Sequence, residues 1–268
     1  MITYPFAYTR AKSLDDAAAL AAAEPEAKIL AGGQTLIPTM KQRLAAPPRL
    51  IDISRLSELS FIRRDGDALV IGATTRHADV AASAEVAKAI PALGFLAGEI
   101  GDPAVRHMGT IGGSLANNDP AADYPAAALG LGATLKTTRR SLAADDFFIG
   151  MFSTALEDGE ILTEIAFPLP EKAGYCKFPN PASRYAMVGV FVARTKAGVR
   201  VAVTGAGPCV FRVPQMEAAL DARFTPEAVA GIKVSADDLN SDLHGSAEYR
   251  AHLVTVMAKR AVEAAAGP

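Results

Sequence analysis

Two glycine pairs stand where main chain could hold an anion. Ala31-Gly32-Gly33-Gln34-Thr35 follows the apolar run Lys28-Ile29-Leu30, and Thr110-Ile111-Gly112-Gly113-Ser114 runs on into Asn117-Asn118-Asp119-Pro120. Glycine places no Cβ between the backbone and a ligand. At a strand-to-helix turn, unpaired N–H groups and the helix dipole favour a phosphate, and successive glycines can form an anion-binding nest. The short polar side chains after the second pair suit a pyrophosphate and a ribose. Asp123, in the mostly apolar stretch Ala121-Ala122-Asp123-Tyr124-Pro125, is either a helix cap or an acceptor for a ribose hydroxyl. Each pair alone also fits a plain turn, because no full phosphate-loop or dinucleotide fingerprint is present. Two such segments in one chain of 268 residues suggest a single large anionic ligand held from both sides.

No other constellation competes. Arg106 and His107 precede the second pair, but a lone histidine more often packs or caps than acts as a base, and His77 is treated alike. No nucleophile–base arrangement stands out. The four histidines lack metal-site spacing. The two cysteines, Cys176 and Cys209, are expected to be reduced thiols; iron–sulfur clusters commonly take about four thiolates.

The elements that must position these residues follow from local signals. Ser13 and Asp16 mark a helix start, and Pro25 ends the alanine-rich helix. Lys28 to Ala31 reads as a strand, Leu36 to Leu44 as a helix with Pro38 in its first turn, and Leu50 to Ile53 as a strand. Asp65-Gly66-Asp67 is a turn before the strand Ala68 to Gly72. Helices are expected over Thr75 to Ala82 and Ala84 to Ile100, the latter interrupted near Pro91, then the second glycine segment as a loop. Ala126 to Leu135 reads as a buried helix and strand, and Glu160 to Phe167 as a strand. Pro168 to Pro181 looks like a lobe boundary. Beyond it come strands Ala186 to Thr195 and Val199 to Gly205, a helix from Thr225-Pro226-Glu227, and a final helix from Ser246 to Ala266. Strands and helices are segregated, so the expected class is α+β. The expected units are 1–53 and 54–174, two lobes of one ligand-binding domain, and 175–268, a C-terminal α+β domain with a small antiparallel sheet and helices.

Composition narrows the classes. Half the residues are hydrophobic and the net charge is -2, with acids and bases interspersed. That is an ordinary globular chain with no electrostatic footprint for nucleic acid. No apolar run approaches the roughly 18 residues of a membrane span. The N-terminus, Met1-Ile2-Thr3-Tyr4-Pro5-Phe6, has neither the basic nor the apolar region of a signal peptide.

Taken together, Ala31 to Leu44 and Thr110 to Leu135 resemble the FAD-binding medium subunits of molybdenum hydroxylases, of the carbon monoxide dehydrogenase and xanthine dehydrogenase kind. The paired motifs Ala-Gly-Gly-x-[Ser/Thr]-Leu-Ile-Pro and Thr-Ile-Gly-Gly-x lie 79 residues apart between Gly33 and Gly112. The resemblance extends through Asp145-Asp146-Phe147-Phe148, Thr154-Ala155-Leu156, Glu160-Ile161-Leu162, Ser241-Asp242 and Ala247-Glu248-Tyr249-Arg250. It implies the two-lobed FAD-binding fold of the p-cresol methylhydroxylase and vanillyl-alcohol oxidase type. It further implies FAD bound without a covalent link. Leu30, Ala31, Gly32, Gly33, Gln34, Thr35, Leu36 and Ile37 would wrap its pyrophosphate, and Thr110, Ile111, Gly112, Gly113 and Ser114 would close on it from the other lobe. Asp123 matches a cofactor-contacting position, Leu162 and Lys177 match positions lining the flavin ring, and Tyr185 matches an aromatic position near the isoalloxazine. Gln34-Thr35 replaces a frequent His-Ser, and Ser114 a frequent Asn.

By the same resemblance a small subunit carries [2Fe-2S] clusters and a large subunit the molybdopterin cofactor, in a dimer of heterotrimers. Electrons reach FAD through the clusters and leave to a quinone, NAD or dioxygen. The expected location is the cytoplasm or the inner face of the membrane, with at most peripheral membrane contact through a quinone. The alternatives are a free-standing flavin oxidase of the same fold and a non-catalytic nucleotide-binding scaffold.

Overall fold

The structure, a computed structural model, describes residues 2–267. Its first lobe contains β1 (Ala7–Arg10), α1 (Leu14–Ala23), β2 (Lys28–Leu30), α2 (Leu36–Lys41) and β3 (Arg49–Asp52). The Ser13 hydroxyl accepts from the Asp16 N–H at 3.1 Å, a cap worth about 1 kcal/mol. Ala17 and Ala21 then turn their small side chains into the lobe's core beside Ile51 and Ile53. The three strands pair in parallel in the order β1-β3-β2. The edge strand β1 escapes sequence reading because Ala-Tyr-Thr-Arg is largely exposed and carries no apolar run.

The second lobe contains β4 (Ile62–Asp65), β5 (Ala68–Gly72), α3 (His77–Ala82), α4 (Ala84–Ala89), α5 (Pro91–Gly98), α6 (Pro103–Met108), α7 (Ile111–Asn117) and α8 (Tyr124–Leu131). It continues with β6 (Thr134–Thr137), β7 (Ser141–Ala143), α9 (Ala144–Phe147), β8 (Phe148–Gly150), β9 (Ser153–Thr154) and β10 (Leu162–Pro168). Its five-stranded antiparallel sheet runs β4-β5-β10-β6-β7, so the last strand of the lobe lies at its centre. Alternate residues Ile165 and Phe167 join Leu69, Ile71 and Leu135 in a core with the helices, as period-2 patterning requires. Pro91 and Pro103 each open a helix, where the missing N–H costs nothing.

The C-terminal domain contains β11 (Lys172–Pro179), β12 (Ala186–Thr195), β13 (Gly198–Thr204), β14 (Phe211–Arg212), α10 (Pro214–Ala222), α11 (Pro226–Val229) and α12 (Ala247–Ala266). Its antiparallel sheet runs β11-β12-β13-β14. The strand β12 is apolar on both faces because both are covered. Val188, Val190 and Val192 meet α12, while Phe191 and Ala193 join the core of the second lobe. The helix α8 fills the seam and is buried all round. A Cβ on its Gly130 would strike the Phe191 ring at 2.9 Å.

Three expectations change. The second glycine segment is no loop: Gly112 and Gly113 sit in the first turn of α7. The expected boundary at 174/175 falls inside β11, whose pairing with β12 begins at Lys172. The helix at Pro226 is only four residues, and the longer α10 before it was not foreseen.

Candidate functional site

A cavity of about 630 Å³ lies between the two lobes and is lined by both glycine segments. This volume is in the range of small-molecule and cofactor sites. The first segment is built from the end of β2. The Leu30 carbonyl accepts from Ile53 at 2.9 Å and fixes the strand end, and Gly33 then turns the chain through a left-handed φ of +70°. Thr35 has αR backbone angles and makes no side-chain cap. As a result the N–H groups of Gly32, Gly33, Gln34, Thr35 and Leu36 donate to no acceptor among the described residues. Consecutive free donors ending at a helix make a concave anion site.

The second segment is the opposite. The Ile111 N–H donates to Thr75 O at 3.0 Å and that of Gly112 to Ala73 O at 2.8 Å. The Gly113 N–H donates to the capping hydroxyl of Thr110 at 3.2 Å, and that of Ser114 to Thr110 O at 3.0 Å. Every donor in the first turn of α7 is therefore committed to protein. Its glycines serve packing: a Cβ on Gly112 would meet Ala73 Cβ at 2.5 Å, and one on Gly109 would meet His77 Nε2 at 2.6 Å. Gly32 has the same duty across the lobes, since its Cβ would run into the Met108 carbonyl and reach Gly109 Cα at 2.8 Å. The two segments thus touch backbone to backbone beside the cavity. What the second offers the cavity is its surface, including Gly113, Ser114, Ala116 and Asn117.

α7 ends at Asn118, which is buried and left-handed at φ +44°. Its Nδ2 donates to Gly150 O at 2.8 Å and Ser153 O at 2.9 Å. These bonds pin the β8–β9 hairpin to α7 and bring Phe152 to the cavity wall. On the first lobe's side, Glu157 to Glu160 line the cavity near Ala21, Pro25 and Ala27. Burial alone would raise the Glu160 pKa. Hydrogen bonds from Arg140, Thr137 and the Glu157 N–H instead hold it at about 2.

Asp123 occupies the N-cap position of α8 without capping it by its side chain. Its Oδ1 accepts from Tyr175 Oη at 2.5 Å and pairs with Lys177 Nζ at 3.0 Å. Its Oδ2 accepts from no described protein donor, and Asp123 lines the cavity. Burial raises its pKa, against Lys177 and Tyr175, which favour the charged form. Lys177 itself does not line the cavity. Its ammonium is buried on Asp123 and donates to Glu99 O at 2.8 Å, so its place is behind the carboxylate.

Of the other expected residues, Leu30 to Leu36, Thr110, Gly112 to Ser114, Leu162 and Tyr185 line the cavity. Ile37 and Ile111 do not. Ile37 packs beneath Gly33, whose Cβ would lie 3.0 Å from its Cγ1, and Ile111 is fully buried in the core. Tyr185 is half exposed, on a turn where Arg184 has φ +61°. Two cavity residues unforeseen from sequence are Thr74 and His77, whose Oγ1 and Nδ1 are buried without a protein partner. Burial, helped by Arg106, lowers the His77 pKa to about 4, so the ring is neutral near pH 7. Free donors on one wall, with an open carboxylate oxygen on another, fit a large ligand carrying both an anion and hydroxyl or imide groups. That is the donor and acceptor pattern of FAD. Among the described residues no group of three metal-ligating side chains occurs, and no helix is long and apolar enough to cross a membrane.

The comparisons point to the same ligand. Residues 4–170 match the family described as the FAD binding domain in molybdopterin dehydrogenase, and residues 173–265 match the CO dehydrogenase flavoprotein C-terminal domain. The chain is 38% identical to the carbon monoxide dehydrogenase medium chain of Afipia carboxidovorans, covering 99% of this chain and 98% of that one. It is 36% identical to the nicotine 6-hydroxylase medium subunit of Paenarthrobacter nicotinovorans, over 95% of each. Its fold superposes on the reconstituted CO dehydrogenase from Oligotropha carboxidovorans with a TM-score of 0.91, at 35% identity and 99% coverage of both chains.

Proposed function

The chain belongs to the FAD-binding medium subunits of molybdenum hydroxylases, and from that premise we propose that it is the electron-exit subunit of a heteromeric complex. In this reading electrons arrive from [2Fe-2S] clusters of a small subunit, after substrate oxidation at the molybdopterin cofactor of a large subunit. They leave to an external acceptor: a quinone, NAD or dioxygen. The assembly would be a dimer of heterotrimers in the cytoplasm or at the inner face of the membrane. The substrate is chosen elsewhere, in keeping with relatives whose names specify carbon monoxide and nicotine.

FAD, when bound, supplies exchange of electrons singly and in pairs, which joins one-electron donors to a two-electron acceptor. The chain's own part is to bind, orient and screen. The N–H groups from Gly32 to Leu36 would hold the pyrophosphate. Gly113 and Ser114 would close on it from α7, and Asp123 Oδ2 would accept from a hydroxyl or imide N–H. Leu162 and Tyr185 would flank the ring system. Ile149, Met151 and Phe152 are exposed on the hairpin beside the cavity, apolar surface of the kind that subunit interfaces cover.

The observation that carries the reading is the row of free donors facing a cavity walled by both lobes. Reconstitution tests it. The purified chain should take up FAD in one-to-one ratio, seen in its visible spectrum, and should leave substrate oxidation to its partner subunits. A chain that remains colourless with FAD overturns the flavoprotein reading. A chain that alone oxidises a small alcohol or phenol overturns the subunit reading in favour of a free-standing oxidase.

A further inference from the structure

We infer that Tyr175, a residue of the C-terminal domain that lies outside the cavity, is a positioning residue for FAD, acting through Asp123. The inference rests on the flavoprotein reading above. β11 presents Tyr175 and Lys177 on one face, as the two-residue period of a strand dictates. Both reach across the domain boundary to the same carboxylate oxygen, Asp123 Oδ1. A carboxylate with one oxygen taken twice cannot rotate freely, and its other oxygen, Oδ2, is left for the cavity. Tyr175 is buried, and Gly189 on the neighbouring strand leaves room for its hydroxyl, which a Cβ there would approach to 2.5 Å. Burial and the adjacent carboxylate raise the Tyr175 pKa well above its usual value, so the phenol stays a donor.

The hydroxyl therefore has two effects on Asp123. It fixes which oxygen faces FAD, and it favours the ionised form, which burial opposes. The other charged or titratable groups facing Asp123 are Lys177 on β11, Glu99 just after α5, Tyr185 across the cavity and Tyr124 beside it on α8, a phenol that burial and the carboxylate keep neutral. Lys177 supports the ionised state, and Glu99 opposes it. Removing the Tyr175 hydroxyl leaves the lysine but raises the Asp123 pKa further. A protonated Asp123 loses acceptor strength at Oδ2, so FAD binding would weaken at a higher pH than in the parent chain.

The test is the dissociation constant for FAD across about pH 5 to 9, read from quenching of flavin fluorescence on the full chain. For the parent chain, affinity should fall with acid, with uptake of one proton. Tyr175→Phe should raise the dissociation constant roughly tenfold near neutral pH, the loss expected for a hydrogen bond to a charged group, and should move the acid limb to higher pH. Tyr124→Phe, removing a neighbouring buried hydroxyl with no partner, should leave the profile in place. Adding Tyr175→Phe to Asp123→Asn should change affinity little beyond the single Asp123→Asn variant. A Tyr175→Phe profile that superimposes on the parent, or is only offset without a shift in pH, overturns this assignment alone. A parent affinity independent of pH overturns it even if the variant does not fold. A parent chain that binds no FAD overturns it together with the flavoprotein reading.

Discussion

The two glycine segments look alike in sequence and differ in what their backbones do. From Gly32 to Leu36 the N–H groups are free, whereas from Ile111 to Ser114 each one is already bonded to Thr75, Ala73 or Thr110. The first segment is an open row of donors at the cavity, and the second is a packed wall that offers the cavity only its surface. Glycine is needed in the first for a left-handed turn at Gly33 and for lobe contact at Gly32; in the second it is needed because Ala73 stands where a Cβ on Gly112 would be. The same dipeptide can thus answer to ligand, backbone conformation or packing.

Substitutions can break that contrast, and the largest effect should come from the packed wall. Gly112→Val should cost about 3 kcal/mol of stability by overpacking against Ala73, with a fall in Tm of roughly 6–12 °C in the FAD-free chain. Thermal melts check it, and an unchanged Tm would mean that α7 can shift without penalty. Gly32→Ala should act on the cofactor instead. Forcing the first segment off Met108 and Gly109 should weaken FAD by about 1.5–2 kcal/mol, more than tenfold in dissociation constant, with a smaller effect on the FAD-free melt. Equal losses in both measurements would erase the distinction between the two segments. Thr110→Val removes the cap of α7 and should cost about 1 kcal/mol of stability, read by urea unfolding, with little change in FAD affinity. The smallest effect belongs to Ser114→Ala. Its hydroxyl makes no hydrogen bond to described protein groups, so stability should hold while FAD affinity drops by about 0.5–1 kcal/mol. Calorimetric titration resolves that difference.

What sequence could reveal follows the same division. The Ser13 cap, the turn at Gly66 and the amphipathic α12 are set by near neighbours, and each was legible. The glycine pairs were visible as positions, but their reasons were not, because Met108 and Ala73 are brought to them only by the fold. β1 was hidden by its exposure, and α11 ends after one turn, whereas the Thr225-Pro226-Glu227 start promised more. The resemblance implies a place for Lys177 at the flavin ring, whereas its ammonium stands behind Asp123, a relation that depends on β11 crossing from the next domain. Tyr175 gave no signal at all, since its partner is 52 residues away.

α8 carries one more consequence. It is buried on every side, between the second lobe and the C-terminal sheet. Neither unit can expose it without breaking the other's core, so the two should open as a single cooperative block, with the slowest amide exchange along α8. The first lobe's core is a separate small cluster, completed by Leu56, Leu59 and Ile161 of the second lobe, and is not part of that block. Its exchange rates should therefore report the local opening of one piece of the protein, and a ligand spanning both lobes would slow them in proportion to its saturation. FAD bound across both lobes would close the fold as well as equip it, and its supply would then set how much of the chain is fully native.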